Sequence, residues 1–210
     1  MNRILCVLCC HNFLPELEAA AREEGWGDVR VLSYPVRCGR PPVSWEELLP
    51  ILPEGTQGIV ILGRACLGRL VELDSPGMVT MIFRQQECFH LVAGPTLVGE
   101  AMARGCYLFT PSWLSDWPQR LAAMGFQPEQ SGEFLRDFSR ELLLLDTGLV
   151  PDAREKLSQL GRTIGLPVRR EAVGLDYTRL LVRQVVGALR WEVERRQVKQ
   201  REQRLHRELA

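Results

Sequence analysis

Seven short strand-like runs, apolar or alternating, most of them followed by a turn and a helical pattern, set the limits on what this chain can fold into. RILCVLCC at Arg3–Cys10, GIVILG at Gly58–Gly63 and ELLLLD at Glu141–Asp146 are apolar on both faces, as strands in the middle of a parallel sheet are. VRVLSY at Val29–Tyr34, MVTMIF at Met78–Phe83 and CYLFT at Cys106–Thr110 add further strands, and VRREAV at Val168–Val173 alternates like a more exposed one. Between them, Leu14–Glu24 reads as a helix with Pro15 in its first turn and Gly25 after its end. Ser44 with Glu47 forms a capping box ahead of a short helix. Glu87–Ala103 reads as a helix broken around Gly94-Pro95, Pro111–Phe138 as a helical, aromatic-rich region, and residues from about Asp152 to Ile164 as another helix. From Asp176 the pattern is helical to the end. This alternation predicts an α/β class: a Rossmann-like, three-layer body with a mainly parallel sheet, helices on both faces and a long C-terminal helix. A second, smaller α/β lobe beginning between residues 112 and 140 stays open at this point, and no internal repeat is visible.

Charge and composition exclude several classes. The 210 residues carry 26 basic and 26 acidic side chains, for a net charge of zero, which argues against a general nucleic-acid binder. Only Lys156 and Lys199 are lysines, so nearly all of the cations are arginines, the better anion holders. No apolar stretch is long enough to span a bilayer. The N-terminus enters a strand pattern at once rather than a leader, so the expected location is cytoplasmic.

The cysteines are the chemically informative residues. Cys6, Cys9, Cys10, Cys38, Cys66, Cys88 and Cys106 are odd in number and scattered, which does not suit a disulfide scaffold. In parallel α/β sheets ligands sit at the carboxyl ends of the strands. Cys10 ends strand one, Cys38 lies after strand two, Cys66 after strand three and Cys88 after strand four. These four are the candidate metal ligands, a set that suits zinc, iron or an iron-containing cofactor. Arg64, Arg84, His11 and His90 come from the same edge. Cationic neighbours favour the thiolate. Arg64, Arg84 and His90 are therefore candidate ligand-binding residues, joined by Trp113, whose indole in the turn Thr110-Pro111-Ser112-Trp113 could seat a ligand. The opposing interpretation is that cysteine is among the most buried residue types, so Cys6, Cys9 and Cys106 are read as core. His90 alone is equally a hydrogen-bonded helix residue, His206 a solvated one, and Thr110-Pro111-Ser112-Trp113 a structural turn. No dinucleotide fingerprint, P-loop, nucleophile elbow or HExxH motif is present.

The tail is a different object. From Arg190 onward it holds seven cations against four glutamates, with no Gly or Pro. Trp191, Val198 and Leu205 fall seven residues apart, one seam of a heptad, while the companion positions Arg195 and Glu202 are charged before Leu209. It reads as a charged linker helix over 190–210, following a domain over 1–189, that forms a parallel coiled coil and joins the domain to something downstream.

Several stretches together resemble one bacterial and archaeal family, that of domain of unknown function 1638: CHNFLPE from Cys10 to Glu16, ILGRACLG, FRQQECFHLVAG, GCYLFTPSWL and LLLDTG. The resemblance runs from about Ile4 to Leu189. It implies a cysteine-centred pocket in a cytoplasmic α/β domain, carried onto Cys10, Cys66, Arg84, Cys88 and Trp113, and such domains also stand ahead of signalling modules. The chain departs from the family pattern at Cys38 (often His), Glu87 (often Asp) and Ser112 (often Gly). Three functions are weighed. The first is a sensory input domain that binds a metal, cofactor or small anion at the cysteine edge, pairs with a second copy through the C-terminal helix and reports to a downstream signalling module. The second is an enzyme using Cys66 or Cys88, with Arg84 holding an anion and His90 or His11 moving protons. The third is an interaction module whose cysteines are structural.

Overall fold

The structure is a computed structural model that describes residues 4–75, 77–123, 125 and 128–208. Arg3 of the first expected strand and Leu209 of the expected heptad lie outside the described residues. Among the described residues the strands form two sheets, both parallel throughout. The chain falls into two compact units, one made of Met1–Leu14, Ala21–Gln86 and Leu180–Ala210, the other of Pro15–Ala20 and Glu87–Arg179.

The first unit contains β1 (Ile4–Cys10), β2 (Val29–Tyr34), β3 (Thr56–Gly63) and β4 (Val79–Arg84) in the order β2-β1-β3-β4. Central β1 and β3 are buried almost end to end, as their unbroken apolar runs require, while edge strand β2 is buried mainly at its ends. The register sets Cys10 opposite Tyr34 and Gly63 opposite Arg84. Helix α1 (Leu14–Glu23) follows β1, its stretch Pro15–Ala20 belonging to the second unit, and α2 (Trp45–Leu48) carries the expected Ser44–Glu47 capping box. Because the order steps from β1 outward in both directions, the chain reverses between β1 and β3. Open parallel sheets leave a crevice at such a switch point.

Most of the long C-terminal helix belongs to this unit. We number it α8 (Asp176–Glu208). It buries Leu181, Val182, Val185, Val186, Leu189 and Val193. It lies close on β3 because residue 58 is glycine: a Cβ there would meet Val193 at 2.9 Å and Leu189 at 3.0 Å. Polar latches flank this apolar contact. Arg183 pairs with Glu24 at 2.5 Å, Arg190 with Asp28 at 2.7 Å, and Arg196 donates to the carbonyls of Ser75 and Met78.

The second unit contains α3 (Pro95–Ala103), β5 (Cys106–Phe109), α4 (Pro111–Ser115), α5 (Trp117–Ala123), α6 (Pro128–Phe138), β6 (Glu141–Asp146), α7 (Ala153–Ile164) and β7 (Val168–Ala172), with sheet order β5-β6-β7. The second sheet therefore begins at Cys106. Sequence alone leaves a lobe boundary open near 112–140; the two compact units part earlier, between Gln86 and Glu87, and β5 pairs with β6 inside the second. The core joins Phe109, Leu114, Leu121, Leu135, Leu142 and Leu144 to the inner face of α7, namely Ala153, Leu157, Leu160 and Ile164. These α7 positions recur at the three- and four-residue steps of one helix face. Leu160 is wholly buried, so Leu160→Ala is expected to cost about 2–5 kcal/mol, read as a lower urea midpoint with an unchanged slope.

Candidate functional site

The carboxyl edge of the first sheet gathers three of the four candidate thiols. Cys10 is the last residue of β1 and is buried. Cys66 sits in a short turn, Ala65–Leu67, directly after β3 and is also buried. Cys38 lies in the exposed turn between β2 and α2. Tyr34, the last residue of β2, organises them. Its hydroxyl donates to the Leu62 carbonyl at 2.6 Å and lies 3.4 Å from the Cys66 sulfur. Burial pushes the Tyr34 phenol far up, and the neighbouring thiols of Cys66, Cys10 and Cys9 push it further, so it stays protonated. Although the residue as a whole is exposed, partial desolvation of its sulfur, and then the charge of Cys66, push the Cys38 thiol up as well. Cys66 thus lies within hydrogen-bond reach of Tyr34 and electrostatic range of Cys38, and Cys10 is paired in register with Tyr34, at the β1/β3 switch point.

Glycine at position 63 makes this arrangement possible. A Cβ there would lie 2.5 Å from the Tyr34 hydroxyl, 2.8 Å from Leu67 Cγ and 3.0 Å from Cys66 Sγ. The loop after β2 is tied to the same turn, since the Val43 N–H donates to the Cys66 carbonyl at 2.9 Å. An ion pair between Arg37 and Glu47 ties that loop to α2.

The other candidates divide between the units. Arg84 ends β4, and its guanidinium donates to the Leu70 carbonyl at 2.7 Å, bracing the loop before β4. Arg64 is exposed, next to Gly63. His11 is exposed and hydrogen-bonded to Ser33 Oγ at 3.3 Å. Cys88, His90 and Trp113 belong to the second unit. His90 is buried in the turn Cys88–Leu91, where its Nδ1 accepts from the Glu87 backbone N–H at 3.4 Å and its backbone N–H donates to the Glu87 side chain. Trp113 is half-buried against Phe109, ring centroids 4.7 Å apart. Cys6, Cys9 and Cys106 are buried, with Cys106 donating to Glu141 at 3.3 Å. All seven cysteines are free thiols. Among the described residues, no group of three or more His, Cys, Asp or Glu side chains is arranged to hold a metal ion.

Two features went unread in the sequence as parts of a site. Tyr34 looked like an ordinary strand residue. Only the register that sets it beside Cys10 and over Gly63 gives it a role. In the second unit, Glu16 is wholly buried, and Ser112 Oγ donates to its Oε1 at 2.8 Å. Its Oε2 is buried without a hydrogen-bond partner among the described residues. The pair joins CHNFLPE to the Thr-Pro-Ser-Trp turn, two stretches that the family resemblance rests on.

A family model described as protein of unknown function, DUF1638, matches residues 47–182. The chain belongs to the DUF1638 family. The matched span contains Cys66, Arg84, Cys88, His90 and Trp113. Cys10, Glu16 and Cys38 precede it, although the motif resemblance took them in. No curated protein and no solved structure matches the chain. Membership in DUF1638 carries no activity with it, so the functional reading rests on the site. Among the described residues no helix is long and apolar enough to cross a membrane.

Proposed function

We propose that this DUF1638 protein is a sensory input domain whose first unit takes up a soft metal ion, or a cofactor carrying one, at the thiols of Cys10, Cys66 and Cys38. The observation that carries this reading is the Cys66 sulfur 3.4 Å from the Tyr34 hydroxyl, with Cys10 paired in register with Tyr34 and Cys38 within electrostatic range of Cys66, at the switch point. Zinc and iron are the ions that a thiol set favours. The thiols are not a finished coordination sphere. Binding therefore draws the Cys38 turn toward Cys66 and releases protons, as it does wherever ligands must deprotonate. Because Cys66 follows β3, and β3 packs through Gly58 on α8, occupancy is passed to α8 as a shift between two packings of that helix. A ligand does this only by binding one packing better than the other. In this reading the protein pairs with a second copy through α8, signals to a module joined to that helix, and works in a reducing, cytoplasmic compartment in which free cysteines persist.

The test is elemental analysis and an absorption spectrum of the full chain purified without an affinity tag, followed by titration with zinc and with ferrous iron. Stoichiometric metal is expected, lost in Cys66→Ala and in Cys10→Ala and weakened as the pH falls. A protein that takes up neither ion, or whose uptake is unchanged in both variants, overturns the reading.

A further inference from the structure

Helix α8 is apolar on two opposite faces, and only one of them is used. At about 100° per residue, the buried positions Leu181, Val182, Val185, Val186, Leu189 and Val193 centre on one side of the helix. Leu180, Trp191, Val198 and Leu205 fall within about 20° of a line on the opposite side. They are 63%, 60%, 53% and 57% exposed, large apolar side chains left in solvent. The stripe spans about 38 Å of helix. Its last part lies beyond the body: from Val198 to Glu208 every position of α8 is exposed. A solvated helix end does not need apolar residues at a seven-residue step. A helix that pairs with another helix does.

The charges beside the stripe identify the partner. Glu194 and Arg201 flank it on one side, Arg195 and Glu202 on the other, all four exposed. When two copies of α8 pair in parallel about a two-fold axis, each flank faces the opposite flank of the other helix at the same height. Glu194 then meets Arg195 of the second copy, and Arg201 meets its Glu202. The sign reverses from one heptad to the next, so the pattern complements itself without help from another sequence. The face that packs on the body points away from the stripe, so the first units stand on the outer sides of the helix pair. Arg195, which lies over the Trp191 ring at 5.2 Å and is bonded to Glu192 at 2.7 Å, is already ordered beside the seam.

We infer that the outer face of α8, along Leu180, Trp191, Val198 and Leu205, is a homodimer interface that takes a second copy of this chain in parallel register. This deepens the pairing in the reading above by naming its surface, register and charge code, and its failure leaves the thiol site standing, since metal uptake is read separately.

Sedimentation equilibrium of the full chain is the test. A dimer is expected, and Val198→Glu with Leu205→Glu is expected to weaken it about 100-fold or more with helix content unchanged by circular dichroism. Glu194→Arg, which sets arginine against arginine, is expected to weaken the dimer, and adding Arg195→Glu to restore it. That restoration would not follow if α8 bound a different partner. Single cysteines placed at 198 and at 205 are both expected to form intermolecular disulfides above the background of the unmodified chain. A monomer at high concentration, a dimer indifferent to the stripe or charge variants, or crosslinking at 198 without 205 overturns the proposal.

Discussion

Gly63→Ala is expected to be among the most damaging single-methyl changes in the first unit. The new Cβ would stand 2.5 Å from the Tyr34 hydroxyl, closer than any side-chain carbon tolerates, and the contacts to Leu67 and Cys66 leave no free direction to move. Overpacking of this kind costs about 1–3 kcal/mol. Here it also threatens the 2.6 Å bond from Tyr34 to the Leu62 carbonyl, and a buried acceptor left unpaired costs about 1–3 kcal/mol more. Tyr34→Phe alone loses that bond but creates room above Gly63. The two changes in one chain should therefore cost clearly less than the sum of the singles, the non-additivity of residues in contact. Urea denaturation followed by tryptophan fluorescence gives the four stabilities. Additive costs would mean that the hydroxyl does not lie over Gly63, and the thiol edge would lose its organising group.

Glu16 should make stability fall as pH rises. Burial pushes its carboxyl above the ordinary value of 4.5, outweighing the Ser112 hydroxyl, the backbone N–H groups of Glu16 and Ser112 and the more distant charge of Arg120, all of which pull it down. The folded state thus holds the proton more tightly than the unfolded chain. Its stabilising contribution is complete below 4.5 and is lost as pH climbs through the folded value. Glu16→Gln keeps the shape and removes the titration. It should flatten the pH dependence above 4.5 and match or exceed the parent in stability at neutral pH. Glu16→Ala instead strands the Ser112 hydroxyl beside a cavity and should cost about 2–3 kcal/mol at any pH. Urea midpoints collected from mildly acidic to mildly alkaline pH decide the matter. An unchanged slope in the glutamine variant would show that Glu16 does not titrate in that window.

The element pattern was legible because burial on two faces leaves a signature that does not depend on neighbours. GIVILG and ELLLLD lie in central strands β3 and β6, and Gly94-Pro95 breaks the helical run where α3 begins. The chain's division was not legible at the right place. The strands on either side of Gln86 look alike in composition, and only pairing distinguishes β4, which hydrogen-bonds to β3, from β5, which hydrogen-bonds to β6. The same limit separates the candidate residues. That Cys10, Cys38 and Cys66 share an edge followed from their places after successive strands. That Cys88 and His90 belong to another unit did not, because the shift comes in the three residues between Arg84 and Cys88.

By itself the sequence determined what depends on periodicity and position along the chain: the α/β class, the parallel connections, the cysteines at strand ends and the seven-residue step of the tail. Tertiary structure alone decided what depends on distance across the chain. The sheet order opens the crevice beside β1. The register carries the Tyr34 hydroxyl over Gly63 to Cys66, and the packing of α8 spends one apolar face and leaves the other in solvent. Local patterns report which face a residue needs to bury. Only the pairing of strands and helices far apart in sequence settles what it is buried against.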